Sequence, residues 1–435
     1  MRGLKQWAIA GVLATCISMA GGTPQVASAQ SGLDVAAPVF DAAVKRQAIT
    51  AAVKLLTEDY VFADRGAQAA ALLTQHLAAG AYDADATPGA FASHLTKDLQ
   101  SVAHDKHLRV FADGVVPDDL PPGPPPEIGL YGYAQADRLK GNIGYIVLNG
   151  FMPKDMSRRG ADKAISLLAS TDALIIDLRH NGGGDPAAVS YLVSFFFDGN
   201  TPVHVNDLLW RKPGTTDYDR SVFSTEPTPI SYLGKPVYLI TSHWTFSGGE
   251  EFAYDMQTLK RATLIGDVTG GGANPGGGHP IAPGFDMFLP TGRAENPITH
   301  DNWEGKGVQP DVAVPADQGF ATAYSAALKA LGRPVTAAPA AAGAVTETHL
   351  LQPPRTTPAP GSEAALHDLL AGKAEGHPML QHVLPQLGAL KSLTFVEVNL
   401  MGNDIYNAKF ANGALNLTVG LDAEGKIESF FFRPE

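Results

Sequence analysis

Cysteine is almost missing from this chain. The only one, Cys16, lies near the N-terminus, so a mature protein that has lost its leader has no thiol. Disulfides and a cysteine nucleophile are then both excluded. Charge is scarce too: Asp, Glu, Lys and Arg together make up 17% of 435 residues, against 45% hydrophobic residues. Such a chain can bury a large packed core, and global disorder is excluded. Basic charge is short in particular. The net charge is -12, which argues against nucleic acid as a partner, because phosphate neutralisation needs clustered Lys and Arg. No long apolar run is present either. Trp7 to Met19 is too short to span a bilayer.

That short run has the layout of a signal peptide over residues 1–29. Arg2 and Lys5 supply the basic start, Trp7 to Met19 the apolar middle, and Ala27-Ser-Ala29 the cleavage site before Gln30. Leu13-Ala-Thr-Cys16 is only faintly like a lipoprotein box, since Thr15 fits poorly before the cysteine. A periplasmic or secreted protein with no membrane span in the mature chain is expected, and an oxidising compartment is consistent with the missing thiol.

The length allows two to three domains. Residues 40–112 have helical spacing: Val44, Ile49, Val53 and Leu56, then Ala70, Leu73 and Leu77, then Phe91, Leu95 and Leu99 behind Thr87-Pro88. His107 follows at a helix–strand junction, where a histidine often serves only the turn. Pro117 to Pro126 is a proline-rich extended connector. From 127 to 332 strands and helices alternate: strands at Ile128–Tyr133, Ile143–Leu148 and Ala173–Leu178, helices at Asp155–Ala169 and from Pro186, and helix–strand alternation on to a strand at Val237–Ile240. Ala173–Leu178 is apolar on both faces, as in a parallel sheet. The alternation implies βαβ units with right-handed crossovers. Residues 333–362, rich in Pro and Ala, read as a linker. Residues 363–435 read as a small α+β domain with one helix, four strands and hairpin turns at Asn412-Gly413 and Glu424-Gly425.

The stretch that carries chemistry is Leu239-Ile-Thr-Ser-His-Trp-Thr-Phe-Ser247-Gly-Gly-Glu250. A hydroxyl between a strand end and a helix start is where an α/β fold exposes a nucleophile. The bare amides of Gly248 and Gly249 and the helix dipole would favour a developing oxyanion. Ser247-x-x-Glu250 equally fits a capping box, in which the serine only caps the helix. Arg179-His-Asn-Gly-Gly-Gly-Asp185 after the strand at 173–178 lacks the G-K-[ST] ending of a phosphate loop and the Rossmann spacing. No cofactor or metal pattern is read.

Four segments in this order, Asp105-Lys-His107, Asp177-Leu-Arg-His-Asn-Gly-Gly183, Thr241 to Ala253 around Ser247, and Asn302-Trp-Glu304-Gly-Lys-Gly-Val-Gln-Pro-Asp311, resemble the S41 serine peptidases. That family takes in the tail-specific (C-terminal processing) proteases, the tricorn core protease and the interphotoreceptor retinoid-binding protein. The resemblance covers about residues 40–315. It implies a ClpP/crotonase-like βαβ core beneath an N-terminal helical bundle, and a peptide or protein substrate. It implies Ser247 as nucleophile and an oxyanion hole from the Gly248 amide with one from Gly182 or Gly183. The tail-specific enzymes use a lysine base, but the matching segment here, Gly266-Asp-Val-Thr-Gly-Gly-Gly272-Ala, has none. The tricorn-like branch points instead to His107 as base and Glu304 as its carboxylate partner, chemistry suited to neutral pH. Lys106 stands where the tricorn protease has a serine; it reads as a solvated loop charge or as a cation near the site, the former being the ordinary case for a surface lysine. About 30 residues between Phe111 and Gly141 leave no room for a PDZ domain. The same resemblance carries the alternative of a non-catalytic binder of apolar ligands or protein partners.

Overall fold

The computed structural model describes residues 40–115, 129, 131–338, 355–372, 384, 387–398, 403–422 and 424–434. The segment expected to be a signal peptide, the proline-rich connector and most of the expected linker lie outside them. No helix among the described residues is long and apolar enough to cross a membrane.

Three helices come first: α1 (Ala42–Glu58), α2 (Ala63–Ala78) and α3 (Pro88–Ala103). Asp41 caps α1 by accepting the amides of Ala43 and Val44 at 2.8 and 3.0 Å, satisfying donors that a helix start leaves over. Thr87 caps α3 with Pro88 in its first turn, and His104 ends it in the left-handed region at φ 54°. The chain thus turns sharply into β1 (Arg109–Ala112). The main sheet begins with β2 (Tyr133–Leu139) and β3 (Ile143–Leu148), followed by α4 (Lys154–Leu168), β4 (Ala173–Asp177) and α5 (Pro186–Ser194). A hairpin of β5 (His204–Arg211) and β6 (Tyr218–Ser224) intervenes before β7 (Val237–Thr241), α6 (Gly248–Thr258) and β8 (Thr263–Gly266). Then come β9 (Gly276–Ala282), β10 (Phe285–Pro290), β11 (Gly292–Glu295), β12 (Val312–Ala313) and α7 (Gly319–Ala330).

The main sheet has the order β12-β8-β7-β4-β3-β2. All its pairs are parallel except β2 on β3, so the expected α/β core is present. Side chains alternate across it with period two. Leu174, Ile176 and Leu239 face one core with Phe252, Met256 and Ile165 from α6 and α4, while Ile175, Tyr238 and Ile240 face α7 through Phe320 and Tyr324. Each such fully buried large apolar side chain contributes about 2 kcal/mol.

Two expectations need correction. The strand expected at 128–133 starts at Tyr133, because Gly129, Tyr131 and Gly132 all have positive φ and form a turn; Ile128 lies outside the described residues. Helix–strand alternation also fails between α5 and β7. The β5–β6 hairpin pairs with β11 in a separate sheet of order β11-β5-β6, and the buried polar residues Asn206 and Asp207 interrupt any continuous apolar run in β5. The N-terminal helices share their core with the strands that follow. β1 pairs with β10, and Leu56, Leu73, Phe91 and Leu99 share one core with Ile281, Phe285 and Met287 of β9 and β10. This shared core brings His107 to the loops that follow β7 and β8.

Residues 355–434 hold α8 (Ser362–Leu370) and an antiparallel sheet of β13 (Leu390–Val398), β14 (Asp404–Phe410), β15 (Ala414–Leu421) and β16 (Ile427–Pro434), in the order β13-β14-β15-β16. Leu366 and Leu369 of the helix pack on Tyr406, Leu415 and Leu417, giving this region a core of its own.

Candidate active site

The site forms where β4 and β7, adjacent and parallel, run out at the same edge of the sheet. Asp177 lies opposite Ile240 in the register. The loop after β7 is pinned to the loop after β4 by main-chain acceptors. Ser242 Oγ donates to the Arg179 carbonyl at 2.6 Å, Thr245 Oγ1 to Leu178 at 2.8 Å, and the Phe246 amide to Asn181 at 2.9 Å. Asn181 is fully buried; its Nδ2 donates to the Leu148 carbonyl and its Oδ1 accepts the Gly183 amide at 2.8 Å.

Ser247 sits at the elbow between β7 and α6 with φ 51° and ψ -121°. A β-carbon in that region is strained, and such strain is typical of functional turns. The capping box read from Ser247-x-x-Glu250 is present. The Ser247 amide donates to Glu250 Oε2 at 2.9 Å, whereas the Glu250 amide donates to the Ser247 carbonyl. The Ser247 side chain faces the Glu250 backbone within that box and is half-buried. The Gly248 amide, first in α6, has no intrahelical partner to donate to. The turn after β4 presses against both. A β-carbon on Gly183 would stand 2.6 Å from Ser247 Cβ and 2.7 Å from the Gly248 nitrogen, while one on Gly182 would meet nothing within 4 Å. Of the two glycines, Gly182 stands in open space, and only Gly183 has its amide held by Asn181.

His107 reaches this place from the N-terminal helices. Asp105, following the left-handed His104, accepts the His107 amide on Oδ1 at 2.9 Å, a local turn that aims the imidazole. The ring stacks on Phe288 at 5.6 Å and lies 4.5 Å from the Phe246 ring, next to Ser247. A β-carbon on Gly272 would come within 2.7 Å of His107 Cε1. The residue is half-buried, and its Nδ1 is buried and has no hydrogen-bond partner. Burial, helped by Arg109, lowers the imidazole pKa to about 3, so the ring is neutral at physiological pH. No hydrogen bond joins His107 to Ser247 or Glu304; catalytic bonds are often long before substrate binds.

Glu304 lies in the turn-rich segment after β11. Its Oε2 accepts the Ala273 amide at 2.5 Å, and its Oε1 is buried and unpaired. Asp105, His107 and Glu304 each offer an atom within 4.8 Å of the others. Both oxygens of Asp105 already accept hydrogen bonds, Oδ1 from the His107 amide and Oδ2 from Tyr60 at 3.1 Å and Asn274 at 2.9 Å. Burial, and then repulsion from Asp105, push Glu304 up to about 8. Burial also raises Asp105, against the bonds from Asn274, His107 and Tyr60.

His107, Glu304, Ser247, Gly248, Gly182 and Gly183 are thus gathered around one edge of the sheet. Lys106 is exposed but not simply solvated: its Nζ donates to the Gly270 carbonyl at 2.6 Å. Sequence reasoning missed Tyr60, Asn181 and Asn274, all buried, and Trp303, whose Nε1 donates to the Gly272 carbonyl at 2.7 Å. Asp105 was read only within its segment; its position two residues before His107 was the available signal.

The model of Peptidase family S41 matches residues 142–314, which include the main sheet from β3 onward, Gly182, Gly183, Ser247 and Glu304. The model of the N-terminal domain of Peptidase_S41 in eukaryotic IRBP matches residues 30–128, which include His107. The chain is 31% identical over 139 residues to the tricorn protease of Thermoplasma volcanium, covering 31% of this chain and 12% of the relative. It is 26% identical over 175 residues to carboxyl-terminal-processing peptidase 2, chloroplastic, of Arabidopsis thaliana, covering 40% of this chain and 32% of the relative. It thus spans at most about a third of the length of these relatives. Among solved structures, a putative peptidase from Parabacteroides merdae has a TM-score of 0.47 at 18% identity, covering 67% of this chain and 94% of that one. With the family model matching residues 142–314 and the model of the family's N-terminal domain matching 30–128, the chain belongs to peptidase family S41.

Proposed function

We propose that this chain is an exported serine peptidase that hydrolyses peptide bonds by acyl transfer. In this reading His107 takes the Ser247 proton as the hydroxyl oxygen attacks the scissile carbonyl. The carbonyl oxygen gains its negative charge facing the Gly248 and Gly182 amides. The imidazolium returns the proton to the leaving amine, and a water repeats the sequence on the acyl-enzyme. Glu304, once ionised, steadies the imidazolium. The observation that carries the reading is the strained Ser247 elbow, set beside a helix-start amide and a glycine turn.

Fluorophosphonate labelling tests it. Wild type is expected to take the label on Ser247 and Ser247→Ala to take none. Labelling that persists in the variant would move the nucleophile elsewhere. The same mass spectrum, on protein from an exporting host, reads the mature start; cleavage after Ala29 leaves Gln30 first, and an intact Met1 refutes export.

The second reading is a non-catalytic binder of apolar ligands or protein partners on the same fold. The unpartnered Nδ1 of a strongly acidified His107 favours it. Folded wild type that refuses the label under all pH conditions would support this reading.

A further inference from the structure

Glu250 does more than cap a helix. It is fully buried, with 0% of its surface exposed, and its carboxylate accepts four hydrogen bonds. Oε2 takes the amides of Ser247 at 2.9 Å and Gly272 at 2.8 Å; Oε1 takes the Gly271 amide at 2.6 Å and the Thr269 hydroxyl at 2.5 Å. Capping requires only the first. The other three come from a loop about 20 residues further on that belongs to no helix.

That loop also touches the His107 and Glu304 side of the site. The Gly270 carbonyl accepts from Lys106 beside His107, and Gly272 packs on the rings of Phe246 and His107. The Ala273 amide donates to Glu304, and Asn274 donates to Asp105, which holds the His107 turn. We propose that Glu250 is the positioning residue that locks the Ser247 elbow to the 269–274 loop and so sets the distance from Ser247 to His107 and Glu304. The proposal rests on the peptidase reading. A carboxylate suits the task because it only accepts, and four converging donors leave no room for a donor of its own. An amide in its place would turn an N–H onto two of those donors.

Glu250→Gln tests this, since it keeps the volume. The variant is expected to label Ser247 about 100-fold more slowly, the cost of a displacement near 1 Å at a reacting group, with the probe concentration for half-maximal rate unchanged. Hydrogen exchange should quicken in the peptides containing Ser247 and Gly271-Gly272. A Glu250→Gln protein that melts lower yet labels at the wild-type rate would overturn the proposal and leave Glu250 a stability residue. If that variant does not fold, Thr269→Val decides: it deletes one donor to the carboxylate, together with the acceptor of the Val308 amide. Slower labelling with faster exchange at 270–272 upholds the proposal, and unchanged labelling overturns it. If wild type itself takes no label, the peptidase reading fails, and exchange alone judges the lock: loosening of the Ser247 peptide in Glu250→Gln upholds it, and unchanged exchange refutes it.

Discussion

Two neighbouring glycines should respond in opposite ways to the same methyl group. Gly183 has φ 100°, a region that costs an L residue about 1–2 kcal/mol. Its added β-carbon would meet Ser247 Cβ at 2.6 Å and the Gly248 nitrogen at 2.7 Å, about 0.8 Å inside ordinary contact. Overpacking of this kind costs about 1–3 kcal/mol. Gly183→Ala should therefore lose about 2–5 kcal/mol, and the melting temperature should fall by about 5–15 °C for a core of this size. The clash bears on the nucleophile and on the helix-start amide together, so labelling by fluorophosphonate should fall by about 100-fold or more in the folded fraction. Gly182→Ala has open space around the new carbon and no positive φ. It keeps the main-chain amide assigned to the oxyanion, and the melting temperature should stay within about 2 °C of wild type. Labelling by the small probe should be retained. Scanning calorimetry and labelling rates on the two purified variants check this. If Gly183→Ala melts and labels like wild type, the close approach of the β4 turn to Ser247 is not a feature of the molecule. If Gly182→Ala loses labelling as severely as Gly183→Ala, steric approach is not what separates the two positions.

Two further outcomes follow from the buried acids and from the chain's division. His107 is already neutral above about 3 and Glu304 holds its proton up to about 8. Labelling should therefore rise as Glu304 ionises through pH 8, with no step near the usual imidazole value of about 6.5, and His107→Gln should abolish it at every pH. A wild-type step near pH 6.5 would refute the buried setting of the ring. Stability should move the other way. The raised Glu304, with Glu251 pushed up to about 7, favours the folded state below the ordinary glutamate pKa, and that contribution is lost as pH rises through about 7–8. The melting temperature should thus fall between pH 6 and 9. The lowered His107 contributes above its ordinary pKa and loses that contribution toward pH 3. Cutting after Pro334 should leave a core that melts cooperatively, because residues 355–434 have their own apolar core; a truncated protein without a cooperative transition would refute that boundary.

The parts of the site that were legible in the sequence are those whose chemistry lives in a side chain. Ser247 stood out between a strand and a glycine pair, and His107 and Glu304 through resemblance. The strand at 173–177 was legible because both of its faces are apolar, and the core that it enters is built on that alternation. What escaped was carried by main-chain donors. Ser247-x-x-Glu250 read as a cap because the sequence displays the carboxylate but not its partners. Three of those four donors are amides, at Ser247, Gly271 and Gly272, and an amide has no residue signature. Asn181 escaped likewise: its partners are the Leu148 carbonyl and the Gly183 amide. Burial is the other hidden quantity. A histidine at a helix–strand junction suggests an imidazole near its reference pKa, whereas packing between Phe246 and Phe288 makes it a much weaker base. Glu304 changes in the opposite sense for the same reason, held protonated by its burial and by Asp105. Residues that name the chemistry can thus be read without coordinates. The protonation states that decide whether the chemistry runs at a given pH depend on contacts made across 169 residues, as between Asp105 and Asn274, and no local pattern encodes them.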